Sequence, residues 1–132
     1  MAKFVPLKSD ATTNGGDQSL NFYQDTYIIR LADTYLMEAE ALKGTGTRAQ
    51  ALLDAVRARV GLPSTPVSLD AIALERRKEL ACEGHRYFDL IRTGKAATAL
   101  ANRGFKAGVN ELLPIPTKEL ENTAFKQNPG YN

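Results

Sequence analysis

Apolar residues recur at spacings of three and four along most of the chain, the period of helices that bury one face. From about Asp25 to Lys43, Ile28, Leu31, Ala32, Tyr35, Ala39 and Leu42 form one such stripe. Asp25 or Thr26 supplies a cap at its start and Gly44 ends it. A second run from about Thr47 to Val60 carries Ala49, Leu52, Leu53, Val56 and Val60, and Gly61 stands where a C-terminal glycine belongs. The link Gly44-Thr45-Gly46 is short, and short links join antiparallel neighbours, so the pattern predicts a helical hairpin.

Two prolines between Leu62 and Val67 forbid a continuing helix. Ser68 is the expected N-cap of a third helix, with Asp70 in its first turn complementing the helix dipole. That helix is expected to reach about Glu83, where Gly84 breaks it, and a short fourth helix follows from His85 to about Arg92. The alanine-rich stretch from Lys95 to Arg103 predicts a fifth. Beyond Gly104 the chain reads as loop, with Leu112 to Pro116 extended, one helical turn between Pro116 and Asn122, and a turn from Gln127 to Asn132. Residues 1–24 read as an irregular lead-in: Asp10 to Asp17 is polar and turn-rich, and Lys3-Phe4-Val5 suits a short strand or an arm. No strand pair is visible. The predicted class is all-α, with 25–132 as one helical domain.

Composition narrows the function classes. The chain has 132 residues, enough to bury a core without disulfides or a structural metal. A formal charge of +2, with its densest basic spots at Arg57/Arg59 and Arg76/Arg77/Lys78 set among carboxylates, gives no nucleic-acid footprint. No apolar stretch approaches the ~20 residues of a membrane span. The start at Met1 lacks the apolar core of a signal peptide, which leaves a cytoplasmic protein or a piece of a longer exported one. Cys82, the single cysteine, reads as a small packed helix residue. His85, the single histidine, has no Cys/His cluster around it and reads as a helix-start residue, not a base or metal ligand. No cofactor is expected. Tyr35 and Tyr87 lie on apolar stripes and read as core, whereas Tyr23 and Tyr131 are freer to touch a ligand.

The most informative segment runs from Ser68 to Gly94. Ile72, Arg76, Glu79, Leu80, Glu83 and Tyr87 follow one another by three or four residues, so charged and apolar groups share one stripe. A surface helix keeps these classes apart, and mixing them predicts charges that are buried and paired. The expected network comprises Glu75, Arg76, Glu79, Glu83, Arg86, Asp89 and Arg92, fixing the angle between the third and fourth helices across Gly84. Arg76, Arg77 and Arg86 are the available partners of Glu79 and Glu83, and Asp89 is spaced to pair with Arg86 and with Arg92. On this expectation, loss of Arg86 costs ~3 kcal/mol. The rival reading makes Glu79 and Glu83 the acid/base pair of a glycosidase. Surrounding arginines lower carboxylate pKa values and oppose proton donation, so the structural reading is preferred.

Four blocks in order resemble the SusD/RagB family. Tyr27 to Ala41 is similar to its R-L-A-[DE]-x-Y-L-x-x-A-E-A helix, and Leu53 to Leu62 to its L-N-x-V-R-x-R-A-G-L. In the second block Asp54 replaces the usual Asn and Val60 the usual Ala. Glu75 to Gly94 resembles E-R-R-x-E-L-x-x-E-G-x-R-x-x-D-L-x-R-x-G almost throughout. Leu112 to Pro116 and Gln127 to Tyr131 resemble the closing L-x-P-I-P … Q-N-P-G-Y.

The resemblance implies a C-terminal portion of an exported surface lipoprotein of Bacteroidetes-type bacteria. It implies tetratricopeptide-like helix pairs, no catalysis, glycan or peptide capture through the parent protein, and a SusC-like TonB-dependent transporter as partner at the outer membrane. Family members are several times longer. Their lipidated N-terminal cysteine and aromatic-lined middle region are absent here, and Trp is absent altogether. The ligand-binding residues are therefore expected outside this chain. A free-standing tetratricopeptide-like interaction module is the alternative.

Overall fold

The computed structural model describes residues 28–131. Their helices are α1 (Leu31–Ala41), α2 (Gly46–Ala58), α3 (Leu69–Glu79), α4 (His85–Arg92), α5 (Ala96–Ala99) and α6 (Thr117–Leu120), with a 3₁₀ turn at Ala101–Arg103. No strand occurs among the described residues, and the fold is all-α. α1 and α2 form the predicted hairpin, and α3 packs across α1. Leu36 and Ala39 of α1, Ala49, Leu52, Leu53 and Val56 of α2, and Ile72 of α3 make the core. Burying aliphatic side chains of this size stabilises by about 1.5–3 kcal/mol each.

The start of the first helix differs from the sequence reading. α1 begins at Leu31, with extended Arg30 as its N-cap; Asp25 and Thr26 lie outside the described residues, as do 1–24. Ile28 and Leu31 are well exposed, and Leu42 is exposed too. The buried face instead carries Asp33, Leu36 and Ala39, flanked by Ala32 and Tyr35. An apolar 3.6-residue pattern fits two adjacent faces here. The face turned inward is the one that brings Asp33 to a cation on α3.

α2 ends in a Schellman-type turn, where the Leu62 amide donates to the Arg57 carbonyl at 3.1 Å and Gly61 takes φ +72°. Gln50 holds the proline-containing linker. Its Oε1 accepts from Val67 N and its Nε2 donates to Thr65 O, each at 2.8 Å. Ser68 caps α3, its hydroxyl accepting from Ala71 N at 3.1 Å. Gly44 closes the α1–α2 turn at φ +64°, and its α-carbon lies against the backbone of Ser68 and Leu69. A side chain there would put Cβ 2.7 Å from Leu69 N, so the hairpin turn and the start of α3 are fitted to each other.

The third helix stops at Glu79, four residues before the expected Glu83. Cys82 sits in the left-handed region at φ +67° and is exposed, so it is a turn residue, not a packed helical one. Two left-handed residues, Cys82 and Gly84, cannot continue an α-helical ladder. The fifth helix is likewise shorter than expected: α5 covers Ala96–Ala99, and the 3₁₀ turn takes the remainder to Arg103.

The closing segment is a clasp. Ile115 N donates to Gln127 Oε1 and Gln127 Nε2 donates to Ile115 O, both at 2.8 Å. Asn128 Nδ2 donates to Leu113 O at 2.7 Å. The clasp is tied back to α4: the Tyr87 hydroxyl donates to Asn110 O, Asn110 Nδ2 donates to the Tyr131 hydroxyl, and that hydroxyl donates to Leu112 O.

Candidate functional site

The charged stripe on α3 becomes the organising site of the molecule. Arg76 is 5% exposed at the centre of it. Its Nη1 donates to Asp33 Oδ1 of α1 at 2.7 Å and its Nε to Asp89 Oδ2 of α4 at 3.1 Å. Arg92 then reads Asp89 and α1 together. Its Nη2 donates to Asp89 Oδ1 and to Glu40 Oε2, both at 2.8 Å, and its Nη1 donates to the other Glu40 oxygen. The order Asp33–Arg76–Asp89–Arg92–Glu40 alternates in sign and closes on α1, where Asp33 and Glu40 stand two helical turns apart.

A second cluster holds the other end of α3. Arg30 donates through Nε to both Glu83 oxygens, at 3.1 and 2.9 Å, and through Nη1 to Glu79 Oε1 at 2.6 Å. Its Nη2 donates to Glu79 O at 2.6 Å, placing a cation on the C-terminal carbonyl of α3, where the helix dipole favours one. Arg59 also reaches Glu79 Oε1 at 2.6 Å. A third pair joins α2 to α3: Arg57 Nη1 donates to buried Glu75 Oε2 at 2.6 Å, while its Nε donates to Pro63 O. Among the described residues no buried side-chain polar atom lacks a hydrogen-bond partner.

The electrostatics follow the geometry. Hydrogen bonding to Arg92 holds the Glu40 carboxyl below its ordinary value. Burial pushes the Asp89 carboxyl upward, but the bonds from Arg76 and Arg92 outweigh it and the net shift is downward. The Arg30 guanidinium is raised above its usual range, chiefly by Glu83, and Arg92 is raised chiefly by Glu40. Each shift favours the charged form of its group.

Six of the seven residues expected in the network make ion pairs; Asp89 meets Arg92 as their spacing suggests, but the partners of Glu79 and Glu83 are not the expected ones. Glu79 and Glu83 are gathered by Arg30 and Arg59, which precede α1 and follow α2. Arg86 is exposed and makes no ion pair among the described residues, and Arg77 is the same. Both line a groove of about 320 Å³ between α3 and α4, whose apolar wall is Leu69, Leu74 and Leu90. Arg30, Asp33, Glu40, Arg57 and Arg59 are the members that the reading of Ser68–Gly94 missed. The seven-residue spacing of Asp33 and Glu40 on one predicted helix face was the available signal.

Tyr87 is half-buried with its ring edge-on to that of exposed Phe88, and Tyr131 is half-buried in the clasp. Tyr23 lies outside the described residues. No group of His, Cys, Asp and Glu suited to a metal occurs among the described residues, and no described helix is long and apolar enough to cross a membrane.

Comparison with known proteins gives a consistent result. The profile of the SusD family matches residues 1–131. A SusD-like protein of Bacteroides ovatus is 34% identical over 67% of this chain and 17% of its own length. SusD-like protein P38 of Formosa agariphila is 37% identical over 81% of this chain and 25% of its own. Among solved structures, a laminarin binding SusD-like protein superposes with a TM-score of 0.92 at 72% identity, over 99% of this chain and 28% of that one. Surface glycan-binding protein A of Bacteroides thetaiotaomicron, in complex with laminarihexaose, superposes with a TM-score of 0.74 at 35% identity, over 86% and 27%. The chain thus spans between about a sixth and somewhat over a quarter of the length of these relatives.

Proposed function

The chain belongs to the SusD family, and from that premise we propose that it is the non-catalytic helical scaffold of a longer, cell-surface glycan-binding protein. The observation that carries the reading is Arg30, which engages the carboxylates of both Glu79 and Glu83. These two acids were the best general acid/base candidates in the sequence. A general acid needs its carboxyl free to meet a substrate oxygen, and both of these are instead taken up by a guanidinium. The pair serves to tie α3 to the segment before α1.

The ligand proposed for the parent protein is a glucan of the laminarin class. The likeness to a laminarin binding relative at 72% identity supports this class over the peptide alternative. The parent is proposed to be an outer-membrane lipoprotein working with a SusC-like TonB-dependent transporter, as the family resemblance implies. The stacking platform for sugar rings is assigned to parts of the parent beyond residues 1–132.

The test is calorimetric titration of the full-length parent with laminarihexaose, followed by a reducing-sugar assay on the same mixture. Binding without hydrolysis is expected. Release of reducing sugar that disappears in Glu79→Gln would overturn the reading.

A further inference from the structure

We propose that the groove between α3 and α4 is an internal docking surface, which receives on Arg77 and Arg86 a carboxylate-bearing, otherwise apolar segment of the parent polypeptide outside residues 1–132. This rests on the parent protein proposed above.

The argument begins with unequal pairing. Arg76 and Arg92 border the groove and are each matched to carboxylates. Arg77 and Arg86 border it too, yet make no ion pair among the described residues. The nearby acids are already engaged: Glu40 and Asp89 by Arg92 and Arg76, Asp70 by Lys95. No carboxylate bordering the groove is left over for these two guanidiniums.

The apolar wall points the same way. Leu69 and Leu74 are each 49% exposed beside the two arginines. Two half-exposed leucines flanked by unmatched guanidiniums form an amphipathic cleft, complementary to an aliphatic side chain with a carboxylate at its edge. A sugar ring is a poor occupant, because no aromatic side chain lines the groove. The polypeptide itself is the better one. The chain covers only 28% of the solved relative to which it is 72% identical, so most of that protein's length lies beyond the matched part. A tethered segment meets the groove at high effective concentration.

The test uses the full-length protein with Leu74→p-benzoylphenylalanine, irradiated and mapped by peptide mass. The expected product is an intrachain crosslink to a segment containing Asp or Glu, outside residues 1–132. That product is expected to disappear in the Arg77→Glu/Arg86→Glu background. A crosslink to residues 1–27, to a second copy or to the transporter, or no crosslink at all, overturns the proposal. A second readout needs no substitution: in the unaltered full-length protein, phenylglyoxal should modify Arg77 and Arg86 more slowly than exposed Arg103, and equal rates count against docking. Laminarihexaose titration of the same preparation separates the two readings. Binding with no protection overturns only the docking surface, and protection with no binding overturns only the glycan assignment.

Discussion

Arg76 of α3 and Asp33 of α1 meet at 2.7 Å with side-chain exposures of 5% and 7%, so a complete ion pair is enclosed where the two helices cross. Such a pair is weak evidence for net stability, because desolvation offsets much of the attraction. Its specificity is another matter. Asp33 without Arg76 is an uncompensated buried charge, so the pair disfavours other placements of α1 against α3. Asp89 extends the same constraint to α4.

Arg76→Ala is therefore expected to lose about 3–5 kcal/mol in urea unfolding, because Asp33 is left buried without its cation. Arg86→Ala in this chain should lose less than about 0.5 kcal/mol, the usual range for an exposed substitution. This reverses the ~3 kcal/mol expected for Arg86 from the charge pattern alone. The Asp33→Ala/Arg76→Ala double variant should lose less than the sum of the singles. Additive losses would mean that the two side chains do not interact.

Gly44→Ala should be costlier than Gly61→Ala. Both glycines have positive φ, which costs an L-residue roughly 1–2 kcal/mol. Only at Gly44 would the new methyl meet backbone, 2.7 Å from Leu69 N, whereas at Gly61 it meets nothing within 4 Å. Equal losses in chemical denaturation would show that the hairpin turn does not touch the start of α3.

Acid should weaken the fold through Glu40 and Asp89. Both carboxyls titrate below their ordinary values in the folded state, so the unfolded chain binds more protons across that window and stability rises with pH there. Their contribution is complete above the unfolded values, about 4.3 for Glu and 3.9 for Asp, and is lost as pH falls through the lower folded values. Arg92→Gln removes the largest cause of the Glu40 shift and should flatten the acid limb of a urea-midpoint against pH curve. An unchanged limb would place the acid sensitivity elsewhere.

Gln127→Ala should loosen the closing clasp while leaving the helices folded. The side chain both accepts from and donates to the backbone of Ile115. Losing these bonds costs about 1 kcal/mol each at most exposures. Amide exchange at Ile115 should accelerate while amides of α2 keep their protection. Unaltered exchange at Ile115 would remove the clasp from the account.

The local elements were legible in the chain because their causes are local. The Ser68 cap, the glycine stop after α2, the prolines of the linker and the spacing of Ala49, Leu52, Leu53 and Val56 each act within a few residues and appear where expected, whereas Val60, expected on the same stripe, lies past the end of α2 and is exposed. The mixed stripe on α3 pointed to buried charge, since a surface helix keeps charged and apolar residues apart, and Arg76 on it is buried; Glu75, off the stripe, is buried as well. Partner choice was beyond the sequence. Arg30 lies 53 residues from Glu83, and Arg76 lies 43 from Asp33; periodicity says nothing about contacts at that range. The face that α1 turns inward and the end of α3 at Glu79 were likewise decided by tertiary structure. An apolar period fits two neighbouring faces, and the last carbonyl of α3 is satisfied by a guanidinium delivered by a distant part of the chain.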